Sequence, residues 1–270
     1  NLRPGDSGES IFARDRGGDE YYQIFVFDTE TGRVRQVSED ETRNGSASWS
    51  EDGEHVAWYR STEGDPDWDI MIANSDNPDG RRVLVEGEGA VFPGDWSADG
   101  SQLTMIRYYS ITHSDLFVVD TASGDVRQLN PDMDVAYAAH EFEPGGESLL
   151  VVTDAGAEFR RVVRMNVETG EMTDVSPDHG WDVQGMDLSP DGRTLAYVLN
   201  AGGVSELRLM DVRSGAAIEG PQLPVGLIGG MQWDDAGERI GFTLNAATSP
   251  SDAWIYEHGS RALTRWTQSE

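Results

Sequence analysis

The 270-residue sequence has no cysteine and no lysine; all 20 of its basic residues are arginine, set against 49 Asp and Glu for a formal net charge of −29. Without cysteine there is no disulfide, no thiolate zinc site and no thiol nucleophile. Without lysine a Walker-type phosphate loop cannot be built. So strong an acidic excess argues against nucleic acid as a partner, because phosphate-backbone binding draws its affinity from basic patches. No apolar run approaches the roughly 20 residues that cross a bilayer, and no positive, apolar, small-residue export pattern follows Asn1, so no membrane partner is indicated. Apolar stripes at helical spacing are also missing, so helices should be nearly absent. What is present suffices for a core: 37% of residues are hydrophobic. The acidity fits a well-solvated surface, a cation-binding surface or adaptation to high salt, and a GC-rich coding sequence would equally exchange Lys for Arg.

An internal repeat sets the architecture. Trp49-Ser-Glu-Asp-Gly53, Trp96-Ser-Ala-Asp-Gly100, Phe142-Glu-Pro-Gly-Gly146, Leu188-Ser-Pro-Asp-Gly192 and Trp233-Asp-Asp-Ala-Gly237 share a large apolar residue followed by a polar turn ending in Gly, at spacings of 47, 46, 46 and 45 residues. A looser copy starts at Leu2. After each turn comes an apolar run such as His55–Tyr59 or Leu149–Val152, then a polar loop, then a second run such as Ile24–Phe27 or Leu116–Val119. Several second runs close on Asp and a Gly-bearing turn, as in Asp28–Gly32 and Asp120–Gly124. Short strands separated by Asp/Gly turns read as antiparallel hairpins, since these residues accept the positive φ that tight turns need. Four strands per unit of about 45 residues is the blade of a β-propeller. The expectation is therefore an all-β chain of six four-stranded antiparallel repeats, forming one propeller domain over 1–270. The blades fall near 1–40, 45–87, 91–131, 137–177, 183–222 and 228–267, and the first lacks most of its innermost strand. Trp49, Trp96 and Trp233 are expected in the core between blades. The near-absent first strand suggests a piece of a longer protein.

Signs of catalysis are few. No G-x-S-x-G elbow occurs; Gly203-Val-Ser-Glu-Leu207 ends on Leu. The five histidines, His55, His113, His140, His179 and His258, form no H-x-x-x-H pair, so no metal and no cofactor is expected. Asp65-Pro-Asp-Trp-Asp69 has the alternation of a calcium loop but neither its Gly nor its distal Glu, and reads as a solvated loop. The loops between second and third strands should emerge together at one end of the blades. Three begin with Arg at the same phase of the repeat, Arg14, Arg60 and Arg107, and several carry aromatics. Arg and Tyr on loops suit recognition of carboxylates and peptides, or else the arginines pair with neighbouring acids and the tyrosines cover blade edges.

Arg14-Asp-Arg-Gly-Gly-Asp-Glu-Tyr-Tyr-Gln-Ile-Phe25, Arg43-Asn-Gly45, Leu188-Ser-Pro-Asp-Gly-Arg-Thr-Leu-Ala196, Leu223-Pro-Val-Gly-Leu-Ile-Gly-Gly230 and Leu263-Thr-Arg-Trp-Thr267 together resemble the N-terminal propeller of bacterial prolyl oligopeptidase family serine peptidases, in the dipeptidyl and acylaminoacyl peptidase branch. The resemblance spans nearly the whole chain and is most specific at Glu20-Tyr-Tyr-Gln23 and at Leu263–Thr267. It implies a non-catalytic domain that caps and gates the active site of an α/β-hydrolase domain in the same polypeptide and helps to select short peptide substrates. The Ser-Asp-His triad would lie in that hydrolase domain, so this chain supplies no catalytic residue. The family propeller usually has seven or more blades, which would place further blade sequence ahead of Asn1. On this reading Arg14, Glu20, Tyr21, Tyr22, Arg43, Arg60 and Arg107 face the hydrolase domain and contact substrate. A stand-alone interaction propeller similar to the TolB-like proteins, and a lactonase-like propeller holding calcium, are the alternatives.

Overall fold

The computed structural model describes residues 2–5, 8–131 and 133–269. Every regular element among them is a β-strand, arranged in five four-stranded sheets and one of three strands, all antiparallel between sequential neighbours. This is the six-bladed β-propeller fold that the repeat predicts.

Blade 1 consists of β1 (Glu9–Arg14), β2 (Gln23–Asp28) and β3 (Val34–Gln36). A single bridge between Leu2 and Ser10 stands where an innermost strand would end. Blade 2 contains β4 (Arg43–Trp49), β5 (His55–Ser61), β6 (Trp68–Asn74) and β7 (Asn77–Val85). Blade 3 contains β8 (Ala90–Trp96), β9 (Gln102–Ser110), β10 (His113–Asp120) and β11 (Val126–Gln128). Blade 4 contains β12 (Tyr137–Phe142), β13 (Ser148–Thr153), β14 (Arg161–Asn166) and β15 (Met172–Asp174). Blade 5 contains β16 (Val183–Leu188), β17 (Thr194–Ala201), β18 (Val204–Asp211) and β19 (Ala217–Ile218). Blade 6 contains β20 (Leu227–Trp233), β21 (Arg239–Ala246), β22 (Ser249–Glu257) and β23 (Leu263–Arg265).

The chain divides into two compact units. One is Asn1–Ala136 with Val167–Gly170; the other is Tyr137–Asn166 with Glu171–Glu270. Within each unit the core consists of apolar layers between successive blades. In the first, Ile24, Val26 and Val37 of blade 1 pack with Trp49, Trp58 and Met71 of blade 2. In the second, Val198 and Leu209 of blade 5 pack with Trp233, Phe242 and Tyr256 of blade 6. Trp49, Trp96 and Trp233 are buried as expected.

The repeated Ser-x-Asp-Gly turn has a direct physical basis. In blade 2, Ser50 Oγ accepts the His55 N–H at 2.9 Å, Asp52 Oδ1 accepts the Glu54 N–H at 2.9 Å, and Gly53 takes φ +69°. Blades 3 and 5 repeat it: the Gln102 N–H donates to Ser97 Oγ and the Thr194 N–H to Ser189 Oγ, each at 2.9 Å. These carboxylates are held below their usual range by the hydrogen bonds they accept, and for Asp99, where the Ser101 bonds are largest, the value falls to about 2.

Three of the polar stretches between second and third strands form tight hairpins instead of loops. β9 and β10 continue to Ser110 and His113 with only Ile111 and Thr112 between them, β17 and β18 meet across Gly202-Gly203, and β21 and β22 meet across Ala247-Thr248. The extension follows from β-branched and aromatic residues in the first case and from the positive φ of both glycines in the second.

Candidate functional site

All seven residues singled out in the sequence belong to the first unit. Arg14, Arg60 and Arg107 occupy one structural phase, each five residues into the second strand of its blade, where they pair across the hairpin with Gln23, Asp69 and Asp115. The backbone therefore brings them to the same end of their blades. Arg43 starts the innermost strand β4 at that end, opposite Ser61.

Their partners separate them into two classes. Arg60 is consumed locally, by Asp69 at 2.5 Å and Glu39 at 3.3 Å, and Glu39 also takes Arg81 at 3.3 Å. Arg107 lies 5.1 Å from the Phe117 ring and 3.5 Å from Glu88. Arg14 and Arg43 rest on aromatic faces, with guanidinium carbons 5.0 Å from the ring centres of Phe25 and Tyr21. Among the described residues neither makes an ion pair with a carboxylate, although both are exposed. A guanidinium stacked on a ring keeps its in-plane N–H fork open for a planar anion.

Tyr21 is the hub. Besides carrying Arg43, it donates from its hydroxyl to Glu63 at 2.5 Å, and this bond raises its pKa above the ordinary phenol value. Its backbone N–H donates to Asp19 Oδ1 at 3.0 Å. Glu20, immediately before, adopts a left-handed φ of +61°, a conformation uncommon for a residue other than glycine. Tyr22 is exposed, and its carbonyl accepts from the backbone N–H and the side-chain amide of Asn44, both at 3.1 Å. Asn44 is buried and also accepts the Trp58 indole N–H at 3.1 Å. The structure thus joins Tyr21 with Arg43 and ties Tyr22 to β4. No hydrogen bond, ion pair or ring contact among the described residues links Arg107 to this group.

Sequence reasoning missed the aromatic floor beside these groups. Tyr59 stacks on Trp68 at 4.7 Å, and Phe92 meets both edge-on at 5.4 and 5.2 Å. Tyr59 lies over Gly45, where an added Cβ would come within 2.7 Å of the ring. The Gly in Arg43-Asn-Gly45 was the available signal: a strand glycine marks the close approach of another group. Burial raises the Tyr59 pKa.

Among the described residues one group, Asp52, Glu54 and His55, clusters its potential ligand atoms within 4.8 Å, and it belongs to the Ser-x-Asp-Gly turn described above.

No protein-family model matches the sequence, and no curated protein matches it. Solved structures do. Prolyl oligopeptidase B from Galerina marginata superposes with a TM-score of 0.75 at 13% identity, covering 99% of this chain and 41% of that one. TolB from Acinetobacter baumannii gives 0.70 at 15% identity, covering 99% and 66%. Oligogalacturonate lyase from Vibrio parahaemolyticus gives 0.75 at 13% identity, covering 99% and 76%. The chain therefore spans under half the length of the oligopeptidase and just under two thirds of TolB. At these identities the likeness is one of fold, and it establishes a β-propeller fold shared with a prolyl oligopeptidase and with TolB.

Proposed function

We infer that the chain is the substrate-recognition propeller of a prolyl-oligopeptidase-like serine peptidase, and that it gates access to an α/β-hydrolase domain in the same polypeptide and selects short peptides. The observation that carries this reading is the pair Arg14 and Arg43. In a chain with 49 acids and 20 arginines, two exposed guanidiniums at one end of neighbouring blades rest on rings and have no carboxylate among the described residues. An arginine left uncompensated in so acidic a protein is suited to an anion from outside, and the free carboxylate of a short peptide matches the guanidinium fork. Tyr21, Tyr22 and the Tyr59, Trp68 and Phe92 cluster add apolar surface for peptide side chains. Arg60 is held beside this surface by Asp69 and Glu39, while Arg107 pairs with Glu88. The prolyl oligopeptidase match lends the fold context, and the hydrolase domain is the partner this reading requires.

In the polypeptide that joins this chain to its hydrolase domain, R14A and R43A should each raise KM for free-acid tri- and tetrapeptides by about tenfold, the worth of one charge-assisted contact, and leave kcat near its original value. Unchanged KM in both variants would remove these arginines from recognition.

A further inference from the structure

The blades differ at one position in a way that opens a second site. In blade 1 the segment after the outermost strand is stitched to the third strand by two bonds: the Val37 N–H donates to Ile24 O at 2.8 Å, and the Ile24 N–H donates to Ser38 Oγ at 2.9 Å. Blade 4 repeats both, with Val175 N–H to Val162 O and Val162 N–H to Ser176 Oγ, each at 3.0 Å. Blade 6 does so with Trp266 N–H to Ala253 O at 2.7 Å and Ala253 N–H to Thr267 Oγ1 at 2.9 Å.

In blade 5 the register Leu209↔Ile218 and Met210↔Ala217 carries Leu207 opposite Gly220 and puts Pro221 at the hydroxyl position. Glycine has no side chain to fill the place of Val37 or Val175, and proline has no hydroxyl. The Ser205 N–H donates to Gly226 O and the Asp211 N–H to Ala216 O, both at 2.9 Å and both away from β17. Leu207 shares their phase on the strand, so its N–H points the same way, and no acceptor among the described residues meets it. The result is a cleft of about 690 Å³ along the β18 edge, with Val204, Leu209, Ile218, Leu223 and Tyr197 among its walls. Tyr197 Oη lies 3.1 Å from His179 Nε2.

We propose that this cleft receives an extended segment of a partner protein, in which one apolar residue of valine or leucine size fills the Gly220 vacancy and the hydroxyl of a following Ser or Thr accepts the Leu207 N–H. The sister blades specify the occupant, since Val37-Ser38 and Val175-Ser176 show what completes this edge. Charge narrows it further. Glu206 and Glu219 line the cleft together with Arg208 and are paired with Arg208 and Arg261; the net charge of −29 over the chain still opposes acidic flanks, so flanking residues of the partner are neutral or basic. The stretch Arg35-Gln-Val-Ser38 of blade 1 is this protein's own version of such a segment.

The probe is therefore acetyl-Arg-Gln-Val-Ser-amide, titrated into the ¹⁵N-labelled chain while backbone amides are followed by NMR. The Leu207 amide should move downfield with saturation, and the largest shifts should cluster on residues 204–209 and 218–225. In the double variant G220V/P221S the chain supplies the missing groups itself. A Cβ on Gly220 meets Leu207 O at 3.2 Å and Leu209 Cγ at 3.8 Å, a fit that needs only a small adjustment. That variant should bind the probe about tenfold more weakly or not at all, with an unchanged or higher midpoint of unfolding. The proposal is overturned if the Leu207 amide stays fixed at millimolar probe, if the shifts fall outside the cleft, or if the folded double variant binds as well as the parent. Should the double variant not fold, the Leu207 shift in the parent decides alone.

Discussion

Asp187 offers a quantitative test of how blades lock together in the second unit. It ends the polar side of β16, its carboxylate accepts the backbone N–H of Trp233 on the next blade, and the Trp233 indole N–H donates to the Asp187 carbonyl at 3.1 Å. Burial pushes its pKa up from 3.8 to about 6, against the opposing pull of the Trp233 bond. A carboxyl that holds its proton more tightly when folded leaves the native state with more bound protons than the unfolded chain between pH 3.8 and about 6. Stability therefore falls as pH rises through that window and stays lowered above it. The full displacement corresponds to about 3 kcal/mol, and the partial exposure of the residue reduces this to about 2 kcal/mol. The substitution D187N keeps an oxygen acceptor for the Trp233 N–H and removes the charge. Urea unfolding at pH 7.5, followed by tryptophan fluorescence, should show the variant about 2 kcal/mol more stable than the parent, with the difference shrinking to near zero at pH 4. A variant less stable at pH 7.5, or a difference that does not change with pH, would refute the assignment of the cost to a buried charge.

Three further outcomes follow from individual residues. His140 on β12 keeps some exposed surface, but both ring nitrogens are sealed without a partner and burial lowers its pKa to about 4; the unfolded chain takes up the proton first, so H140F should remove about 2–3 kcal/mol of the stability otherwise lost between pH 6.5 and 4, the opposite sign to Asp187, as read from the pH dependence of urea midpoints. Ser38 is buried, accepts the Ile24 N–H at 2.9 Å and donates to Gln23 Oε1 at 2.7 Å, so S38A should cost about 1–3 kcal/mol in chemical denaturation, and an unchanged midpoint would show that the stitch is dispensable. Gly124 has φ +81°, and an added Cβ would lie 2.5 Å from the Leu84 carbonyl oxygen; G124A should lower stability by about 2 kcal/mol or more, and a neutral result in a thermal melt would contradict that contact.

The fold was legible because its determinants are local and periodic. The Ser and Asp of each turn bind backbone amides within a few residues of themselves, as Ser50 and Asp52 do, so their chemistry repeats wherever the turn repeats. The phase shared by Arg14, Arg60 and Arg107 was equally readable, and the structure places all three at equivalent strand positions. What became of them there was not readable. Glu39 reaches Arg60 from 21 residues away and Glu63 reaches Tyr21 from 42, and in a chain with 49 acids nothing in the sequence marks those two. The Tyr59, Trp68 and Phe92 cluster joins two blades through packing, which carries no local signature beyond Gly45. Gly220 and Pro221 look like ordinary loop residues until the register of blade 5 sets them against Val37-Ser38 and Val175-Ser176.

The central proposal is that Arg14 and Arg43 bind a peptide carboxylate on an acidic propeller. The most direct measurement is a calorimetric titration of the chain with one tripeptide in two forms, free acid and C-terminal amide, at low and at physiological salt. The account predicts that the free acid binds about tenfold more tightly than the amide at low salt, that the preference narrows as salt screens the contact, and that R14A/R43A abolishes it. Equal binding of the two forms, or a preference that survives the double substitution, would contradict it.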